Sequence, residues 1–170
     1  MIRLGRLDDV ERLRAIERAS GEPFRGIGMD RIADDEPASA ADLALRIGAD
    51  RLWVVADDDD RALAYLMADP LGRHAHIEQV SVHPDAARRG LGAELIEQAG
   101  RWGRAAGLAD LTLCTFAAVP WNALYYRRLG FRELAEADLD APLAALRRHE
   151  ADLGLDQWPR TAMARSLIRG

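Results

Sequence analysis

The spacing of apolar residues changes period several times along the chain, and each change predicts an element. Ile2 and Leu4 open a first strand. Behind Asp8 and Asp9, either of which can cap a helix, Val10, Leu13 and Ile16 recur at helical spacing. Between residues 20 and 40 the pattern is interrupted by Gly21, Pro23, Gly26, Gly28 and Pro37, which predicts an irregular segment with one helical turn. Its apolar residues either plug an edge of the core or line a substrate site, and in the second case Phe24, Arg25 and Met29 are the contacts. A short helix over residues 40–47 leads through Gly48 to the apolar run Leu52-Trp53-Val54-Val55-Ala56. The acidic residues Asp57 to Asp60 then read as the turn of an antiparallel hairpin whose second strand covers residues 62–68.

A strand over residues 74–82 continues that sheet antiparallel and stops at His83-Pro84, because proline lacks an amide donor and restricts its predecessor. After Arg88-Arg89-Gly90-Leu91-Gly92-Ala93, the residues Leu91, Leu95, Ile96, Ala99 and Trp102 recur at helical spacing, so the helix opens around Gly90. Residues 111–115 give the next strand. Strand, helix and strand form a crossover, which demands parallel neighbours. Pro120 suits the first turn of a further short helix and Gly130 the position past its end, with a strand from Phe131. An amphipathic helix over residues 141–153, the pair Trp158-Pro159 and a last strand over 161–167 complete the chain. The predicted fold class is α/β with a mixed sheet, mostly antiparallel with one parallel βαβ crossover, in a single domain over residues 1–170.

Composition narrows the function. At 170 residues, with 49% hydrophobic and 30% charged, the chain can bury a core without metal or disulfide staples. Four successive carboxylates at 57–60 can suggest a metal site, but a solvated hairpin turn is the simpler reading, and no metal is expected. The single Cys114 cannot form an internal disulfide and reads as a packed strand residue, in keeping with a reducing cytoplasm. No apolar run is long enough to span a bilayer, and the first residues look like a strand instead of a cleavable signal, so a cytoplasmic protein with no membrane partner is expected. A net charge of −5 argues against a nucleic-acid partner, which depends on many Lys and Arg contacts to phosphate. A small ligand fits better.

The glycine turn indicates which one. A helix start leaves backbone amides unpaired, glycine lets a ligand approach them, and a negative charge there gains on the order of 0.3–1 kcal/mol. With Arg88 and Arg89 beside it, a diphosphate is the natural guest, although a surface turn with a solvated arginine pair would look the same in sequence. Neither Gly-x-Gly-x-x-Gly nor a P-loop Lys-Ser/Thr is present.

The run Val82-His83-Pro84-Asp85-Ala86-Ala87-Arg88-Arg89-Gly90-Leu91-Gly92-Ala93 resembles the acyl-CoA-binding motif of the GNAT N-acetyltransferase superfamily. One position departs, since the family usually has Gln or Arg where Ala87 stands. A second run, Trp121-Asn122-Ala123-Leu124-Tyr125-Tyr126-Arg127-Arg128-Leu129-Gly130-Phe131, resembles the family's later Asn, Phe/Tyr-Tyr, Leu-Gly-Phe motif. The resemblance implies the GNAT fold and acetyl-CoA as acyl donor. It implies CoA contacts from Val80, Ser81, Val82, Arg88, Arg89, Gly90, Leu91, Gly92, Ala93 and Asn122, with strand amides near Val80 to Val82 receiving the thioester carbonyl. It also puts Tyr126 where the family protonates the departing thiolate, and the C-terminal strand beside the acceptor, near Trp158 and Arg160.

Transfer to an amine then needs a base, donors for an oxyanion and an acid, and no covalent enzyme intermediate; no Ser-His-Asp or Cys-His arrangement is evident. Glu78 is the first candidate base, with His76 and water as alternatives. The acceptor is a small-molecule or peptide amine, and a homodimer is left open. Two other classes keep the same turn: a catalytically idle CoA-binding regulatory domain, and another diphosphate- or nucleotide-binding α/β module.

Overall fold

The computed structural model describes residues 1–168. Strands β1 (Ile2–Leu4), β2 (Leu52–Ala56), β3 (Ala62–Leu71), β4 (His74–Val82), β5 (Asp110–Phe116), β6 (Arg132–Leu134) and β7 (Arg160–Ser166) form one mixed sheet in the order β1-β2-β3-β4-β5-β7-β6. Its helices are α1 (Val10–Gly21), α2 (Asp30–Ala33), α3 (Ala40–Gly48), α4 (Leu91–Ala105), α5 (Ala123–Arg128) and α6 (Ala141–Asp152). By density of contacts the chain divides into two units, one holding Met1–Asp69 and Ile77–Ala99, the other Pro70–His76 and the described residues from Gly100 onward.

In the first unit, β1, β2 and β3 pair antiparallel, with Val54 opposite Tyr65 and Leu52 opposite Met67. The period-2 alternation gathers those four side chains with Leu13 and Ile16 of α1 and Leu43 of α3 into a core cluster. Leu13, Ile16, Leu43, Leu52 and Val54 retain no exposed surface, each such burial being worth about 1.5–3 kcal/mol. Asp9 departs from the expected helix cap. A 3-10 turn at Leu7–Asp9 precedes α1, and the Asp9 side chain makes no cap bond to α1. Its Oδ2 instead accepts the Arg6 amide and Arg3 Nη1, both at 2.8 Å, while Arg3 Nη2 donates to Oδ1 at 2.9 Å. A two-pronged charge-assisted pair outweighs a bond to a neutral helix amide. Asp60, at the end of the acidic turn, takes Arg3 Nε at 2.6 Å and Arg6 Nη1 at 2.5 Å, so that run is partly an ion-pair anchor and not merely solvated.

Residues 20–40 are more helical than their interruptions predict. The helix α1 reaches Gly21, and a 3-10 helix covers Glu22–Ile27 with Pro23 in its first turn, where no amide donor is required. Met29 is 3% exposed and is therefore a plug of the core, while Arg25 Nη2 is taken up by Asp34 at 2.6 Å.

In the second unit, β4 pairs parallel with β5 at His74↔Asp110, Ala75↔Leu111 and His76↔Thr112, and β5 pairs antiparallel with β7 along its whole length. Asp140 caps α6 by accepting the Leu143 amide at 3.2 Å, and its Oδ2 lies 2.6 Å from His74 Nε2. Trp158 meets Phe116 edge-to-face at 6.2 Å, an anchor for the strand that follows. Burial, then the charge of Glu150, pushes the Cys114 thiol up to about 12, so it stays protonated and packed.

The Arg3–Asp9 pair gives a pH prediction. Burial alone would raise the Asp9 carboxyl, but Arg3 and the Arg6 amide together hold it below the ordinary range. Its contribution is therefore complete above the unfolded value of about 3.9 and is lost as pH falls through the lower native value. Asp9→Asn should cost about 1–3 kcal/mol in urea melts at pH 7, with the difference from wild type closing towards pH 2–3. An equal difference at both pH values would remove the pair from the account of acid stability.

Candidate functional site

The end of β4 and the start of α4 lie in the first unit. Pro84–Ala86 forms a 3-10 turn in which His83 Nδ1 accepts the Asp85 amide at 3.2 Å. Arg88 and Gly90 then adopt left-handed conformations, φ 62° and 77°, that turn the chain into the helix. The amide of Glu94 donates to the Gly90 carbonyl at 3.1 Å, the first helical bond of α4. By helix geometry the amides of Gly90, Leu91, Gly92 and Ala93 precede any acceptor within the helix. A Cβ placed on Gly90 would meet nothing within 4 Å, so the space over the turn is open. Arg88 and Arg89 are exposed and, among the described residues, have no carboxylate partner. Leu95, Ile96 and Ala99 are fully buried and hold the helix in place. Open space, amides without helical acceptors and two unneutralised guanidiniums fit a diphosphate.

Along β4 the burial pattern breaks at the candidate base. His74, Ala75, His76 and Ile77 are all buried, and Glu78 is exposed. Glu78 belongs to the first unit, where its charge helps raise the Arg46 guanidinium, after the hydrogen bond and charge of Asp69. His76 belongs to the second, 3% exposed, with Nδ1 2.9 Å from Thr112 Oγ1. Val80 and Val82 are half-buried and Ser81 is buried.

The second motif lies wholly in the second unit. Pro120 is not in the first turn of α5 as its sequence position suggests. It occupies the second position of a β-turn closed by the Asn122 amide on the Val119 carbonyl at 3.1 Å, a place proline's fixed φ favours equally. Asn122 is the N-cap of α5, with no cap bond from its side chain. The helix ends in a Schellman motif: Gly130, at φ 90°, donates to Arg127, and Phe131 donates to Tyr126 at 3.1 Å. This closure brings the Tyr126 ring edge-on to Phe131 at 5.9 Å and to Tyr125 at 5.3 Å. Burial, and secondarily Tyr125, pushes the Tyr126 hydroxyl well above its ordinary value. It therefore keeps its proton at neutral pH, as a proton donor must.

The sequence profile described as the Acetyltransferase (GNAT) family matches residues 12–131, more than two thirds of the chain. The chain belongs to the GNAT acetyltransferase family. That span takes in both the glycine turn and the Tyr126 helix. Solved structures with the same fold include the N-acetylglutamate synthase of Neisseria gonorrhoeae, complexed with coenzyme A and N-acetyl-glutamate. It matches 99% of this chain at 17% identity and a TM-score of 0.71, and the chain spans 35% of its length. The PaiA N-acetyltransferase of Thermoplasma acidophilum, in complex with coenzyme A, matches over 98% of both chains at 15% identity and TM-score 0.72. A ribosomal-protein-alanine N-acetyltransferase of Brucella melitensis covers 98% of this chain and 99% of its own at 15% identity and TM-score 0.68.

Other features of this GNAT-family chain bear on ligands. Among the described residues no three His, Cys, Asp or Glu side chains gather as a metal site, and no helix is long and apolar enough to cross a membrane. In the second unit a cleft of about 360 Å³ is lined by Leu139, Arg147, Arg148, Asp156 and Arg160, with Arg147 Nη2 on Asp156 at 3.1 Å. Arg160, read from sequence as a substrate contact, stacks over Phe116 at 4.6 Å and donates to Glu150. Sequence reasoning passed over the buried pair in which the Tyr65 hydroxyl donates to Glu17 Oε2 at 2.7 Å. The available signal was a tyrosine inside an aliphatic strand, whose hydroxyl needs a partner once buried.

Proposed function

We propose that this protein is an N-acetyltransferase moving an acetyl group from acetyl-CoA to a primary amine in a ternary complex, by direct attack. The observation that carries the reading is the open, arginine-flanked glycine turn at the head of α4 in a chain of this family. Acetyl-CoA supplies the acyl group as a thioester. The amide groups from Gly90 to Ala93, with Arg88 and Arg89, bind its diphosphate. Amides of the β4 backbone near Val80 to Val82 donate to the thioester carbonyl, where negative charge grows as the amine nitrogen bonds to carbon. Asn122 gives a further CoA contact. Glu78, directly or through water, takes the proton the ammonium must lose before its nitrogen can attack. As the carbon–sulfur bond breaks, the Tyr126 hydroxyl gives its proton to the leaving thiolate. Whole-chain behaviour as a single domain belongs to the same reading.

Thiol release from acetyl-CoA across a panel of amines tests the reading directly. Tight acetyl-CoA binding without release to any amine would favour a regulatory CoA-binding domain. Thermal protection by ATP or NAD exceeding that by acetyl-CoA would favour a nucleotide module. For the base, Glu78→Gln should lower kcat/KM for the amine by about 10²-fold, most strongly below the amine's own pKa, with acetyl-CoA affinity kept. An unchanged pH–rate profile would assign the proton to His76 or to water.

A further inference from the structure

Within the second unit, the cleft of about 360 Å³ combines an aliphatic lining with guanidinium groups whose hydrogen-bonding capacity is largely unused. Leu134 of β6, Leu139, Ala144 and Ala151 of α6, and Ala162 of β7 supply the apolar lining, and Arg147, Arg148 and Arg160 the cationic one. Three carboxylates, Glu136, Glu150 and Asp156, stand at or beside the cleft, so net charge alone selects no ligand. Hydrogen-bond counting is more informative, because each guanidinium carries five N–H donors. Arg147 donates from Nη2 to Asp156 at 3.1 Å, while its buried Nη1 stands 3.5 Å from Glu150 Oε1, an ion pair without a hydrogen bond. Arg160 donates from Nη2 to Glu150, and its buried Nε has no acceptor among the described residues. Arg148 is exposed and has neither a hydrogen bond nor a carboxylate partner among them.

A buried donor without an acceptor costs about 1–3 kcal/mol, and more on a charged group, so its persistence beside a cleft calls for a reason. Packing alone would be served by an aliphatic side chain at no such cost. The Arg160 side chain is 10% exposed and stacks over Phe116 at 4.6 Å, which fixes the plane of its fork before any ligand arrives. A carboxylate matches such a fork with two parallel hydrogen bonds, and an aliphatic body matches the leucine and alanine lining. Inorganic phosphate would use the guanidiniums and leave that lining in water. The volume suits a small molecule. We propose that this cleft binds a small organic carboxylate with an aliphatic body, its carboxylate held by Arg148 together with Arg147 and Arg160. The carboxylate belongs either to the amine acceptor itself or to a separate ligand, and only the first case rests on the proposed function.

Titration calorimetry on the full chain tests the site with 4-methylpentanoate, which has no amine to acetylate, and with 4-methylpentanamide and inorganic phosphate as controls. Wild type should bind the carboxylate with a Kd of about 1 mM or tighter, and each control about 10-fold more weakly or worse. Arg148→Gln, at an exposed position with no ion pair to lose, should weaken binding about 10-fold. Arg104→Gln on α4, also exposed, removes the same charge elsewhere and should change nothing. Ala144→Met fills the cleft from α6 without altering charge and should weaken binding about 10-fold, with near-ultraviolet dichroism confirming the fold. No binding by wild type at about 20 mM, equal affinity for the amide or phosphate, or wild-type affinity in either Arg148→Gln or Ala144→Met would overturn the site. With L-leucine as the amine, an acceptor carboxylate in the cleft predicts a KM about 10-fold higher in Arg148→Gln and an unaltered KM for L-leucinamide. An unaltered leucine KM, or no turnover of leucine, with 4-methylpentanoate still bound supports the site as one for a separate ligand. Should wild type transfer no acetyl group to any amine, the proposed function fails, and calorimetry still decides the cleft.

Discussion

Gly92→Val should abolish acetyl-CoA binding in an otherwise folded protein. Gly92 is buried one residue inside α4, next to the left-handed Gly90, at the point where the amides of Gly90 to Ala93 precede the helix's own acceptors. A β-branched side chain in this first turn is expected to crowd the approach of an anion to those amides. Wild type at a ligand concentration of about 100 Kd gains about 2.7 kcal/mol of stability, and the variant should gain none. Gly92→Ala, adding one methyl group, should fall between the two. Titration calorimetry with acetyl-CoA checks the outcome, with near-ultraviolet dichroism confirming the fold. Wild-type affinity in the folded Val variant would remove the turn from donor binding and the main support from the proposed function.

The second large effect is expected in the chemical step. Tyr126→Phe deletes one hydroxyl and keeps a ring whose edge-to-face contacts with Tyr125 and Phe131 do not involve it. Acetyl-CoA affinity and fold should therefore survive. If that hydroxyl protonates the thiolate, the single-turnover rate should fall by about 10²–10⁴-fold, the usual range for a positioned general acid. A single-turnover measurement is the right one, because product release can hide a slower chemical step in steady state. An unchanged single-turnover rate would take Tyr126 out of the mechanism, and a loss confined to acetyl-CoA affinity would make its role one of packing.

The sequence alone determined the order of elements, the mixed sheet with one parallel crossover, and the place of the glycine turn. These depend on short-range physics: apolar period, the missing amide of Pro84, and the freedom of Gly90 and Gly130 to take positive φ where the chain must turn. Both motifs were readable for the same reason, since each lies within one contiguous run. Where two local solutions were equally good, sequence erred, as with Pro120, which suits a β-turn as well as a helix start. Partnerships across the chain were settled only by the tertiary structure. Arg3 drew Asp9 away from its cap, Met29 proved to be core, and the burial pattern of β4 separated His76 from Glu78. Glu17 and Tyr65 stand 48 positions apart, and nothing in the residues around either names the other. A side chain's own sequence neighbours set its conformational preferences, but which distant charge or hydroxyl it meets depends on how every intervening element packs.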